Sequence, residues 1–167
     1  MEKTVRTTFP TSVSAAEMTA AAQDYSRRGW TVAETANGLC LITDGEVSGV
    51  EVSGKLAGDV RRFLRANNLS GPVIEIPGPE RREIHLVTGL RKATMALEAL
   101  REAGATVYTD GDGIALPPTQ ISAAGAAQWS VSPQQARWLP PVVAIAAAVR
   151  SARSRRRTGE TLTSVAC

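Results

Sequence analysis

Residues 111–133 read GDGIALPPTQISAAGAAQWSVSP, and residues 138–141 read WLPP. A short apolar strand, Ile114 to Leu116, stops at Pro117-Pro118, because proline has no amide for a strand ladder and restricts the residue before it. A small-residue excursion follows, and a returning strand then carries Trp129. Just upstream lies the acidic turn Asp110-Gly111-Asp112-Gly113. A strand end of this kind, with carboxylates beside it, is a place where a sheet can present hard oxygen ligands to a metal ion and a phosphate.

Working outward, Ser14 and Glu17 form an S-x-x-E capping box ahead of a helix that Gly29 closes. Trp30 to Glu34 and Leu39 to Thr43 read as strands about Asn37-Gly38, a strong hairpin signal. Val47 to Val52 is a third strand. Leu56, Val60, Phe63 and Leu64 recur at helical spacing, which predicts an amphipathic helix over 55–66. Strands follow at Val73 to Ile76 and Glu83 to Val87, joined by the Pro77-Gly78-Pro79 turn. A helix over about 90–103 ends at Gly104, and Thr106 to Tyr108 is a further strand. Pro140-Pro141 opens an Ala-rich helix to about Arg156, since proline is tolerated in a first helical turn. This order lacks regular βαβ alternation. It predicts an α+β domain, largely antiparallel, with residues 1–150 folded and 151–167 a basic, disordered tail.

The chain has 167 residues, 43% of them hydrophobic and only 4% aromatic. It is long enough for one domain with a core of small and branched aliphatic side chains. No apolar run reaches the ~18–20 residues of a membrane span, and the start, MEKTVRTTFP, lacks the apolar segment of a secretory signal. Cys40 and Cys167 are far apart and unlike zinc spacing. These features predict a reduced, cytoplasmic protein.

The net charge of +3 is unevenly placed. Arg150, Arg153, Arg155, Arg156 and Arg157 fall within eight residues; without them and Glu160 the chain holds 14 basic and 15 acidic side chains. On a continuing helix Arg150, Arg153 and Arg157 share a face that suits a phosphate backbone. The same cations also suit the negative end of a solvated helix.

His85 is the only histidine. It sits on a strand with Glu83 on the same face, where it can meet a nucleotide phosphate, act as an acid or base, or simply be a half-buried strand residue. Carboxylates occur at Asp44 and Glu46, at Glu51, and at Asp110 and Asp112. A two-metal nucleotidyl-transfer site needs several such groups at adjacent strand ends, but D-G-D-G is equally a turn sequence. Glu51, between Val50 and Val52, also reads as the polar face of a strand. There is no P-loop, no dinucleotide glycine motif and no nucleophile elbow. Trp129 and Trp138 can stack bases or pack at the core and its rim.

Taken in order, Arg27-Arg28-Gly29-Trp30, Ser48-Gly49-Val50-Glu51-Val52, Gly71-Pro72-Val73, Arg82 to Val87 with His85, Gly113 to Pro118, Gln128-Trp129 and Trp138 to Pro141 resemble the bifunctional DNA primase/polymerase N-terminal domain of the archaeo-eukaryotic primase superfamily, in the compact style of its small actinobacterial members. The match runs from about Ala20 to Arg150. It implies a primase-polymerase fold that binds nucleotides and template DNA, with metal-dependent polymerisation in active members. The family pattern has an acidic pair after the Ser-Gly strand, a Ser-x-His motif and a third acid on a later strand. Here the first element is Val50-Glu51-Val52-Ser53, with one carboxylate where two are expected. The second is Glu83-Ile84-His85, and the third acid is Asp110 or Asp112.

Two divalent cations beside a triphosphate need ligands that offset their charge and hold them about 3.5–4 Å apart. One missing carboxylate weakens that clamp, and Glu83 in place of serine repels a phosphate. The expectation is therefore a non-catalytic relative that binds DNA or nucleotide, with a regulatory or mobile-element role and no cofactor. The vestigial site is Glu51, His85, Asp110 and Asp112. The competing expectations are an active enzyme with Mg²⁺ or Mn²⁺ on Glu51, Asp110 and Asp112, and a protein-interaction module that kept only the fold.

Overall fold

The computed structural model describes residues 13–163. Helix α1 (Ala15–Arg27) starts at the expected box: the Glu17 amide donates to Ser14 Oγ at 3.2 Å, and the Ser14 amide donates to Glu17 Oε2 at 2.8 Å. Strands β1 (Val32–Thr35) and β2 (Gly38–Ile42) form the predicted hairpin, with Thr35 opposite Gly38, so the turn falls on Ala36-Asn37. Gly38 serves a different purpose. At φ +147° it lets Thr119 approach so closely that a Cβ would lie 2.5 Å from its Oγ1.

The five-stranded sheet carries the fold. Its order is β10 (Gln128–Val131), β4 (Val73–Ile76), β5 (Arg82–Val87), β3 (Ser48–Ser53) and β6 (Thr106–Tyr108), and its neighbours all pair antiparallel. A three-stranded sheet is formed by β1, β2 and β7 (Gly113–Leu116), and β8 (Gln120–Ser122) with β9 (Gly125–Ala126) makes a small hairpin. Mixed helices and antiparallel sheets make this an α+β domain.

One face of the large sheet packs on α2 (Gly54–Ala66), α3 (Thr94–Glu102) and α4 (Val142–Thr163), where Val50, Val52 and Val87 meet Val60, Leu64, Leu100, Ile145 and Val149. The other face packs on the small sheet and α1, where Ile74, Ile84 and Leu86 meet Tyr25, Leu39, Leu41, Ile114 and Leu116. Both faces of β5 are covered, so even the polar Glu83 and His85 on its helix side are buried.

The double proline is where the chain changes sheets. β7 ends against β2, and the returning strand β10 pairs with β4 at the edge of the other sheet. Thr119 completes the ladder that Pro118 cannot: its Oγ1 accepts from the Leu39 amide at 2.7 Å and donates to the Leu39 carbonyl at 2.8 Å.

Two segments differ from expectation. The helix expected over 90–103 divides into a 3-10 turn at Leu90–Lys92 and α3, with Ala93 at φ −121° between them. The last helix reaches Arg156 as expected and runs on to Thr163, so residues 151–163, also expected as a disordered tail, belong to α4; residues 164–167, including Cys167, lie outside the described residues. Alanine and arginine are strong helix formers, so the run from Val142 has no break before Gly159.

Candidate nucleic-acid interface and the buried polar cluster

Glu51 and His85 do not meet. In the β3–β5 pair Glu51 stands opposite Ile84, and His85 stands opposite Val50. Opposed residues share a face and successive ones alternate, so Glu51 points with Ile84 toward the small sheet while His85 points toward the helices. Glu51 is engaged at both oxygens: Arg82 Nε donates to Oε1 at 2.8 Å and the Tyr108 hydroxyl donates to Oε2 at 2.8 Å. Burial, then that hydrogen bond and the charge of Glu51, push the Tyr108 hydroxyl well above its usual pKa. The hydrogen bond from Arg82 to Glu51 likewise raises the guanidinium.

The acidic turn has its own occupation. Asp112 Oδ2 accepts from the Thr109 amide at 2.7 Å and its hydroxyl at 3.1 Å, and Asp110 pairs with Arg91 at 3.1 Å on the surface. Asp44 accepts from the amides of Glu46 and Val47 to turn the chain into β3. Among the described residues no three His, Cys, Asp or Glu side chains are grouped to hold a metal ion.

His85 belongs instead to a cluster on the helix side. Glu83 is fully buried; its Oε1 takes Arg81 Nη2 at 2.6 Å and Arg61 Nη2 at 3.3 Å, and its Oε2 lies 3.5 Å from His85 Nε2. Burial pushes the Glu83 carboxyl up, but the close approach of His85, the hydrogen bond from Arg81 and the charges of His85 and Arg61 outweigh it and hold the pKa below the usual carboxylate range. The sequence shows the Arg81-Arg82-Glu83 run, but nothing in it brings Arg61 to Glu83.

The basic residues divide between two places. Lys55, Asp59 and Arg62 of α2 and Ala152, Arg155, Arg156 and Gly159 of α4 line an open groove of about 560 Å³. Asp59 is its one carboxylate among the described residues, 3.3 Å from Arg62 and 3.5 Å from Arg156. Arg153 and Arg157 are exposed on α4, whereas Arg150 turns toward α3 and lines a second groove with Lys92, Met95 and Val143. Lys55 and Arg62 are groove residues that sequence reasoning passed over. Their signal was the cationic face of α2, opposite its apolar stripe.

Trp129 is a packing residue. It completes a cluster with Tyr25 and Trp30, at centroid distances of 6.0 and 6.4 Å, and its Nε1 donates to the Tyr25 hydroxyl at 3.0 Å. That hydroxyl donates in turn to the Pro117 carbonyl at 2.6 Å, and burial pushes its pKa up to about 12. Trp138 is 44% exposed, with Nε1 on the Ser70 carbonyl. Cys40 is a partly buried free thiol, pushed up by burial. No helix among the described residues is long and apolar enough to cross a membrane. Comparison with family models, curated proteins and solved structures returns no match.

Proposed function

We propose that the chain is a primase-polymerase-like protein that binds single-stranded DNA without extending it, through the groove between α2 and α4. The observation that carries this reading is the groove itself: Lys55, Arg62, Arg155 and Arg156 line it, against Asp59 as the single carboxylate among the described residues. Such a surface neutralises consecutive phosphates and releases their counterions, which is the sequence-independent part of nucleic-acid affinity. Two packed helices fix the backbone positions of the cations, so less chain freedom is lost on binding than in a disordered tail.

The absence of polymerisation in this reading is supported by Glu51 and His85 lying on opposite faces of the sheet, with both Glu51 oxygens engaged by Arg82 and Tyr108. A nucleotide with its divalent ions needs those groups on one side.

One observation favours a protein-interaction reading instead. Met95 and Val143 are exposed large apolar side chains, at 82% and 48%, and both line the second groove, on the α3 side, with Lys92 and Arg150. The deciding experiment is binding of a labelled oligothymidine to the full chain at low salt, where backbone contacts are strongest. The proposal expects saturable binding that weakens steeply with salt. No binding at low salt overturns it in favour of the interaction module.

A further inference from the structure

On the helix side of the large sheet a row of residues crosses all five strands. Val131 pairs with Val73, Val73 with His85, His85 with Val50, and Val50 with Val107. A single histidine interrupts four valines. Above its β10, β4 and β5 part lies a cavity of about 40 Å³, lined by Val131, Val73 and His85 from the sheet, by Arg61, Leu64 and Arg65 from one face of α2, and by Ser70. That volume is roughly three times the ~10–15 Å³ that one water requires.

The polar groups around it are incompletely partnered. His85 is only 2% exposed, and its Nε2 has Glu83 Oε2 at 3.5 Å, with neither atom in a hydrogen bond; the buried Nε and Nη2 of Arg61 make none either. Arg61 Nη2 stands 3.3 Å from Glu83 Oε1 as an ion pair, without hydrogen-bond geometry. The local charges are also unequal. Arg61 and Arg81 pair with one buried carboxylate, Glu83, and the exposed Arg65 adds a third cation at the cavity mouth, while Glu75, opposite Glu83 across the strand pair, is exposed to water. Buried donors are almost always satisfied, and buried positive charge is almost always compensated. What fits is a small, acceptor-rich anion.

We propose that this cavity binds a tetrahedral oxyanion of the phosphate or sulfate class, held by Arg61, Arg65, the Ser70 hydroxyl and His85. The cavity is far below the ~300 Å³ lower end of pockets that take larger ligands, so a nucleoside does not enter it. It is separate from the DNA groove: α2 turns Lys55, Asp59 and Arg62 to the groove and Arg61, Leu64 and Arg65 to the cavity. Bound anion ties α2 to the β10 edge and stabilises the fold by mass action.

His85 is the only histidine, so its imidazole signals in an NMR spectrum are unambiguous. The full chain is titrated with sodium phosphate and with sodium sulfate, against sodium chloride at matched ionic strength and pH. The expected result is a saturating shift of the His85 imidazole nitrogens by either oxyanion, with a Kd of about 1 mM or tighter, and a thermal midpoint that rises with oxyanion alone. Arg65→Gln, at an exposed position, weakens binding roughly tenfold, and Ser70→Ala weakens it less. A drift identical to that in chloride, or saturation unchanged in both variants, overturns the proposal and leaves the cavity to water.

Discussion

The salt dependence of DNA binding follows from the groove's charges. Four cations line it and Asp59 offsets one of them, so about three phosphates are neutralised. For a single strand each neutralised phosphate contributes about −0.7 to the slope of log K against log salt, giving about −2. Raising salt from about 50 to 200 mM then weakens binding roughly 20-fold. The combined Arg62→Ala, Arg155→Ala and Arg156→Ala variant leaves Lys55 facing Asp59, and the slope falls to near zero. Asp59→Asn works in the opposite direction: the neutralised count becomes about four, the slope steepens to about −3, and the same change of salt costs roughly 50-fold. Arg150→Ala, on the α3 side, leaves the slope as it was. Fluorescence anisotropy with a labelled oligothymidine over a sodium chloride series reads all four proteins, with circular dichroism to show that each is folded. A triple variant that keeps the parent slope, or an Asp59→Asn variant that loses affinity, refutes the assignment of the groove.

Primer extension with Mg²⁺ or Mn²⁺ is expected to give no product above background; extension that Glu51→Gln abolishes contradicts the separation of Glu51 from His85. Tyr25→Phe removes the 2.6 Å bond to the Pro117 carbonyl and leaves Trp129 Nε1 without its acceptor, a loss of about 1–3 kcal/mol in urea unfolding. The Tyr25 hydroxyl also sets an alkaline limit. With its pKa raised from 10.0 to about 12, its contribution is complete below the unfolded value and is lost as pH rises toward 12, up to about 2–3 kcal/mol. Tyr108 is pushed up as well, so Tyr25→Phe retains part of the alkaline decline and makes it shallower.

Local signals in the sequence were read correctly where the interaction itself is local. The Ser14–Glu17 box and the strand stop at Pro117 depend on neighbours in the chain and needed no tertiary knowledge. Partner choice did not. Nothing in residues 111–133 shows that the strand after the double proline joins β4 rather than β7, because both faces of the large sheet are buried and the apolar pattern is the same for either pairing. Gly38 reads as a turn residue, yet the close approach of Thr119, 81 positions later, is what its missing Cβ permits. Whether Glu51 meets His85 turns on register. Val50, Glu51 and Val52 alternate faces, and a single-residue difference in the pairing of β3 with β5 decides whether Glu51 or Val50 joins His85. Composition could locate the arginines of α4 but could not turn Arg155 and Arg156 toward α2 and Arg150 away from it. That division is set by the packing of α4 on two helices at once.

The central claim is that DNA lies in the α2–α4 groove and not over the acidic strand ends. Backbone amide shifts of the ¹⁵N-labelled chain, recorded with and without oligothymidine at low salt, test it most directly. Perturbations concentrated between Lys55 and Arg65 and between Ala152 and Gly159 are the predicted result. Perturbations centred on Glu51, Arg82, Tyr108 and Asp112, with α2 and α4 unmoved, would contradict it.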